Sequence, residues 1–163
     1  SCTQYPRQLL AQDQPDIAFS TKELCREIAI PHREPYAKSK RVVRYLIGLP
    51  RLVYVYDWRA MPEGPDVYTG THFAGCETTR RSTSGGTAMF GSHCVRHWWA
   101  TQTTLSVSSG EAELQGIGKG ISHALNLRSL YAYFGKKAEL MIHYDATGAI
   151  GIARRRGLGK LRR

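Results

Sequence analysis

The sequence predicts a mixed α/β domain that follows a short helical segment. Apolar residues recur at helical spacing up to about residue 50 and at a period of two from residue 51 onward, and the later elements follow the order β-β-β-α-β-α. A chain of 163 residues is long enough to bury a hydrophobic core in one such domain. We therefore assign residues 1–50 to the helical segment and residues 51–163 to the α/β domain.

Two helices are predicted in the first segment. Ser20 and Glu23 have the spacing of a capping box ahead of the first helix. Prolines at 31 and 35 then interrupt the helical pattern, because proline lacks the amide proton and disfavours helix in the preceding residue. The second helix is predicted over residues 36–48, with an apolar stripe made of Val42, Val43, Leu46 and Ile47.

Three predicted strands open the α/β domain. Residues 66–75 are rich in β-forming side chains, and residues 83–91 and 93–101 indicate two strands joined at Gly91 and Ser92 in an antiparallel hairpin. The alternation over residues 52–58 also favours an extended backbone.

Two pairs of residues in this hairpin carry further information. Gly85 and Gly86 indicate a β-bulge or a close approach of another group. Trp98 and Trp99 are adjacent on a strand, and adjacent side chains point to opposite faces. We expect one indole in the core and the other at the surface, so at most one of them is available to stack on a nucleic-acid base.

A long helix is predicted next. Ser108 and Glu111 form a capping box, helical spacing continues to Gly135, and the apolar positions are Leu114, Ile117, Ile121, Ala124 and Leu125. Residues 138–145 then predict a buried strand, and residues 146–156 a short helix.

The charge of the chain favours a polyanionic partner. The sequence has 23 Lys and Arg against 13 Asp and Glu, a formal net charge of +10 and a pI near 9.7. A solvated basic surface, or one that faces acidic protein neighbours, is the alternative. The last acid is Asp145, and the final eleven residues hold six cations, namely Arg154, Arg155, Arg156, Lys160, Arg162 and Arg163. A second basic group lies in the predicted helix 36–48 and comprises Lys38, Lys40, Arg41 and Arg44, although such residues opposite an apolar stripe usually form a solvated face.

Cysteine spacing and hydropathy narrow the class of protein. The four cysteines contain no C-x-x-C pair, which favours reduced thiols in an intracellular compartment over a zinc site or a disulfide framework. The longest apolar runs are too short to span a bilayer, so no membrane insertion is expected.

Two carboxylates are candidates for a functional role. Asp145 closes a predicted strand at the start of a helix, a position typical of functional acids in α/β folds, and capping of the helix is the alternative. Glu113 lies past the capping-box position and shares a helix face with Ile117 and Ile121. A carboxylate leaning toward an apolar face requires a partner, and a metal ion is one candidate.

Long motifs in this chain resemble a known family. Residues 74–86, 91–120 and 140–160 are similar to the ribonuclease H region of copia-type retrotransposon Pol polyproteins. Residues 10–56 resemble the end of the reverse transcriptase that precedes it. The resemblance implies a ribonuclease H-like fold, a mixed five-stranded sheet with flanking helices, which binds an RNA/DNA hybrid across a basic face.

The resemblance also implies a set of metal-binding acids. In that family, carboxylates hold two magnesium ions that activate water and stabilise the leaving oxygen. The helix glutamate of the family corresponds to Glu113 and the acid after the fourth strand to Asp145. The central aspartate of the first strand falls on Gly70, and the second acid of that stretch falls on His72. The last family aspartate lies beyond a segment similar to the one that ends at Arg163, so we expect the domain to be truncated there.

The altered acid set leads to a functional expectation. Glycine offers no ligand and imidazole is a poor ligand for magnesium, so we expect a domain without nuclease activity and without a cofactor. Such a domain would bind RNA or an RNA/DNA hybrid through its basic surface, as a subunit of a ribonucleoprotein assembly. One alternative is an active two-metal ribonuclease H with Mg²⁺ at Glu113 and Asp145, and another is a protein–protein scaffold.

Overall fold

The chain divides into two compact units, Ser1–Asp57 and Trp58–Arg163. A computed structural model describes residues 14–27, 33–76, 78–144 and 151. Among these residues, no helix combines the length and the apolar character that a membrane span requires.

The first unit contains helices α1 (Ala18–Glu27) and α2 (Arg33–Gly48). A 3-10 turn at Pro15–Ile17 leads directly into α1, and proline suits this position because the first amide groups of a helix have no partner within it. Ser20 therefore lies inside α1, and the capping box predicted at Ser20 and Glu23 is wrong. Glu23 instead forms ion pairs with Lys22 and Arg26.

The exposed face of α2 differs in part from the predicted one. Val42 and Leu46 are half-buried as expected, whereas Val43 and Ile47 are exposed. The reason is helical geometry: the buried Pro35 and the half-buried positions 39, 42 and 46 recur every three or four residues along one face. Residues 43 and 47 lie beside that line and face solvent.

The second unit is a four-stranded mixed sheet with one long helix, α3 (Ser109–Tyr133). The strand order is β3-β2-β1-β4, with β1 antiparallel to β2, β2 antiparallel to β3, and β1 parallel to β4. The strands are β1 (Asp66–His72), β2 (Thr83–Phe90), β3 (His93–Thr101) and β4 (Met141–His143). The resemblance implied five strands, but the described residues supply one strand after α3, which gives four.

Local signals placed most element boundaries correctly. Gly91 in the β2–β3 turn and Gly135 after α3 have left-handed φ values of 58° and 70°, which glycine adopts without strain. The capping box at Ser108 is confirmed: Ser108 Oγ accepts from the amide of Glu111 at 3.2 Å, and Glu111 Oε2 accepts from the amide of Val107 at 2.9 Å. The period-two stretch over residues 52–58 forms neither helix nor strand.

The two tryptophans of β3 lie on opposite faces, as predicted. Trp98 is 8% exposed and belongs to the core with Val67, Ala88 and Ala124, whereas Trp99 is 44% exposed. The ladder irregularity lies at Ala88/Met89, so Gly85 and Gly86 mark a close approach and not a bulge. A Cβ atom on Gly86 would lie 2.3 Å from the Trp98 ring, and one on Gly85 would lie 2.3 Å from the Trp99 ring.

The face that α3 buries agrees with the predicted one only in part. Ile117 and Ala124 are buried, but Ile121 and Leu125 are exposed. Small residues occupy several of the buried positions, because the helix backbone lies close to the sheet at Gly116 and Gly120. A Cβ atom there would lie 2.4 Å from Thr71 Oγ1 and 3.3 Å from Thr69 Cγ2, respectively. The buried residues are Ala112, Gly116, Ile117, Gly120, His123, Ala124 and Tyr131.

Candidate functional site

Gly70 lies in the middle of β1, on the sheet face opposite α3. Its neighbours point toward the helix: Thr69 Oγ1 donates to the carbonyl oxygen of Gly116 at 3.1 Å, and Thr71 Oγ1 donates to that of Ala112 at 3.4 Å. Because side chains alternate along a strand, a side chain at position 70 would point away from α3. No described atom lies within 4 Å of the position that a Cβ atom on Gly70 would occupy.

The start of α3 lies beside this part of β1. Glu113 directly follows Ala112, which accepts the hydrogen bond from Thr71, and Thr71 directly follows Gly70. The structure therefore brings two of the positions assigned by the resemblance, Gly70 and Glu113, into neighbouring elements. The Glu113 side chain is half-buried.

Asp145 lies outside the described residues. The strand that precedes it in sequence, β4, pairs with Asp66, Val67 and Tyr68 of β1. The predicted strand over residues 138–145 is thus represented by Met141–His143, and the predicted helix 146–156 lies almost wholly outside the described residues.

The residues at the two β1 positions that the resemblance assigns to metal-binding acids do not fit a two-magnesium centre. Magnesium requires several oxygen ligands, and a pair of ions requires a set of carboxylates. Gly70 has no side chain, and His72 is an exposed imidazole at the end of β1, with its ring against Gly75. In the part of the chain that the structure describes, no three His, Cys, Asp or Glu side chains come together as a metal site.

A buried polar cluster fixes the start of α3, and sequence reasoning missed it. Gln102 Nε2 donates to Ser84 Oγ and to the carbonyl oxygen of Ala112, both at 2.8 Å. Ser106 Oγ donates to Gln102 Oε1 at 3.1 Å and accepts from Gln115 Nε2 at 3.1 Å. Buried hydrogen bonds that are satisfied in this way make a structure rigid, so the cluster holds Glu113 in place relative to β1. Its members come from β2, α3 and the loop between β3 and α3, and no local pattern joins them.

A second missed group lies on the sheet face opposite α3. His143 Nε2 is 2.8 Å from Asp66 Oδ1, and the His143 ring stacks on Tyr68 with ring centroids 4.5 Å apart. These residues lie on two different strands, β1 and β4, and they meet only because the strands pair in parallel. The contact fixes the orientation of the Tyr68 ring.

The basic residues of α2 are exposed. Lys38, Lys40, Arg41 and Arg44 all face solvent. Lys40 Nζ lies 4.8 Å from the ring centroid of Tyr36, a cation–π contact that leaves the ammonium group at the surface. This arrangement agrees with a solvated basic face and with phosphate contact alike. Arg154, Arg155, Arg156, Lys160, Arg162 and Arg163 lie outside the described residues.

His123 is buried between α3 and β3. Its ring lies 4.2 Å from the Trp98 ring, centroid to centroid, and neither of its nitrogens has a hydrogen-bond partner among the described residues. Burial lowers the pKa of His123 below its ordinary value near 6.5, with smaller contributions from the positive charges of Arg96 and Lys119.

We expect His123 to make the protein less stable in acid. Between the lowered pKa and about 6.5, the unfolded chain binds more protons than the folded one, so the free energy of unfolding falls as the pH drops through this window. Above about pH 6.5 both states hold neutral His123, and the effect vanishes. Urea unfolding from about pH 8 to about pH 5 measures it. The His123→Phe variant should lose less stability over this range, and an equal loss in both proteins would contradict the expectation.

The fold and the site together define a mixed α/β domain with a glycine where the resemblance expects a metal-binding acid. Over 111 residues, the chain is 28% identical to the uncharacterized mitochondrial protein AtMg00810 of Arabidopsis thaliana. The match covers 68% of this chain and 45% of the Arabidopsis protein, so the chain spans less than half the length of that relative. No family model matches the chain, and no solved structure matches it.

Proposed function

We propose that this chain is a retroelement-derived ribonuclease H-like domain without nuclease activity, which binds RNA or an RNA/DNA hybrid through a basic surface. The observation that carries the proposal is Gly70. It lies in the middle of β1, beside the start of α3 and Glu113, where the resemblance expects the central metal-binding aspartate. The mixed sheet with α3 on one face supports the ribonuclease H-like fold.

The charge distribution supports a nucleic-acid partner. The net charge of +10 favours polyanions, and the exposed cations of α2 lie at the surface, where phosphates can reach them. The six cations after Asp145 form the densest basic stretch of the sequence, and we assign them the largest share of phosphate contact. Phosphate contact carries no sequence information, so binding through these residues is general and suits a subunit of a ribonucleoprotein assembly.

Neutralising the arginine triplet tests this assignment. The variant with Arg154, Arg155 and Arg156 all changed to Gln should bind single-stranded RNA and RNA/DNA hybrid more weakly, and by the same factor for every base sequence. The slope of log K against log salt should become shallower by about one for each phosphate that the variant no longer neutralises. Fluorescence anisotropy at several salt concentrations measures both quantities.

A matched control removes three cations elsewhere. Arg128, Lys136 and Lys137 are exposed on or just after α3, and changing all three to Gln alters the net charge by the same amount. This control should retain most of the affinity. An equal loss in both variants would show that net charge alone governs binding, and binding that does not weaken with salt would favour a protein scaffold. Magnesium-dependent cleavage of hybrid RNA by the unaltered chain would contradict the absence of nuclease activity.

A further inference from the structure

The sheet face opposite α3 has a flat centre made of two paired glycines. Gly70 of β1 pairs directly with Gly85 of β2, and Gly85 pairs directly with Trp99 of β3. The six-membered ring of Trp99 lies over Gly85, at a place where a Cβ atom would come within 2.3 Å of Cε3 and Cζ3. Because Gly85 has no side chain, the Trp99 indole can lie flat on the sheet and extend toward β1.

Aromatic surface on this face remains open to solvent. Trp99 is 44% exposed and Tyr68 is 45% exposed. Tyr68 precedes Gly70 by two positions on the same face, roughly 6.6 Å along the strand. Gly70 lies between the two rings and leaves a gap there, because it has no side chain and only its backbone closes the bottom of the gap. No described atom lies within 4 Å of the position that a Cβ atom on Gly70 would occupy. Glycine inside a strand often marks a place where a ligand approaches the backbone closely.

The Tyr68 ring, on one side of the gap, is fixed in orientation. Tyr68 stacks on His143 at a centroid distance of 4.5 Å and an interplanar angle of 12°, and Asp66 holds His143 through a contact of 2.8 Å. A ring that is already oriented loses little conformational entropy when a second planar group stacks on it.

We propose that Tyr68, Gly70, Gly85 and Trp99 form a stacking platform for an unpaired base of single-stranded RNA. The inference rests on the RNA binding proposed above and deepens it by naming the ligand as a single strand. Aromatic side chains stack on the exposed π-faces of unpaired bases whatever their identity, whereas a duplex keeps those faces within its own stack.

Charge complementarity selects nucleic acid over a second copy of the chain. Two copies would each carry a net charge of +10 and repel one another, whereas a phosphate backbone is attracted. The exposed Arg80 and Arg81 stand just before β2, at the end of this face where Thr83 pairs with His72. They are suited to contact the phosphates that flank a base on the platform.

The test compares a twelve-nucleotide oligouridylate with an abasic oligonucleotide of the same length. The abasic probe keeps the phosphates and lacks the bases. Trp99→Ala should weaken oligouridylate binding roughly 5- to 150-fold and leave the weaker binding of the abasic probe unchanged. Trp99→Phe, which retains a ring, should keep most of the affinity. Gly70→Val should also weaken oligouridylate binding, because valine fills the gap while favouring the strand.

Fluorescence gives a second readout. In a Trp58→Phe background, which removes a fully exposed tryptophan, oligouridylate should quench Trp99 emission and the abasic probe should not. Equal affinity of the unaltered protein for both probes, unchanged oligouridylate binding by Trp99→Ala, or tighter binding of a hybrid duplex than of the single strand would each overturn the platform and leave the proposed RNA binding intact. Absence of binding to either probe would overturn the proposed function as well.

Discussion

The Gly116→Val variant should unfold at a free energy about 3 kcal/mol below that of the unaltered protein. A Cβ atom at position 116 would lie 2.4 Å from Thr71 Oγ1, far inside contact distance. Thr71 would have to move, and its hydrogen bond to Ala112 would break. The added methyl groups would also crowd Ser84 and Thr69, whose hydroxyl oxygens lie 3.6 Å from the Cβ position.

Gly118 provides a matched control on the same helix. No described atom lies within 4 Å of the position that a Cβ atom on Gly118 would occupy, and the residue is exposed. Gly118→Ala should therefore raise the free energy of unfolding by about 0.5–1 kcal/mol, because alanine is the better helix former. Urea unfolding of both variants at one pH compares the two effects. If Gly116→Val were as stable as the unaltered protein, α3 would not lie as close to the sheet as the structure shows.

The close approach at Gly116 also has a consequence for the candidate site. It brings the first turn of α3, with Ala112 and Glu113, onto the strand that carries Gly70. The Gln102 cluster holds the same turn from the side of β2. The position of Glu113 is therefore set by glycine packing and by a buried amide, and both are conditions that only the folded chain supplies.

Elements with local signals were predictable from the sequence. The β2–β3 hairpin needs a left-handed residue at Gly91, and the start of α3 needs the cap at Ser108, so a few neighbouring residues determine each. The opposite directions of Trp98 and Trp99 follow from alternation along one strand. The predicted cap at Ser20 failed because Pro15 starts a turn upstream that continues into α1.

The packing of α3 was not predictable in the same way. An amphipathic pattern favours Ile121 and Leu125 as buried, yet the helix buries Gly116 and Gly120 instead. Glycine carries no apolar signal, and its role depends on threonine side chains of another strand. The contact of His143 with Asp66 was missed because β1 and β4 are distant in sequence.

At the candidate site, the motifs located Gly70 and Glu113, and the structure added their surroundings. The resemblance alone indicated a missing acid. The structure adds that position 70 faces away from α3, that no described atom occupies its side-chain space, and that two aromatic rings flank it. Tyr68 flanks position 70 through alternation along β1, whereas Trp99 flanks it only because β1, β2 and β3 pair in this register.

Gly70→Asp should give the chain a magnesium-binding site. The open space at position 70 admits the carboxylate without displacing a described atom, and the glycine backbone there is not left-handed, so an aspartate adopts it without strain. The resemblance assigns this position to one metal-binding set with Glu113 and Asp145, whose carboxylates would be the further oxygen ligands that a hard cation needs. At a magnesium concentration about ten times the dissociation constant, binding to the folded state alone raises the free energy of unfolding by about 1.4 kcal/mol.

Gly70→Asn separates charge from shape, because asparagine matches aspartate in size and carries no charge. Thermal unfolding is compared with and without about 10 mM magnesium chloride. The melting temperature should rise for Gly70→Asp and change little for Gly70→Asn and the unaltered chain. A rise in the unaltered chain would mean that Glu113 and Asp145 already hold the ion. Glycine at position 70 would then not explain an inactive domain, and the proposed loss of nuclease activity would have to be withdrawn.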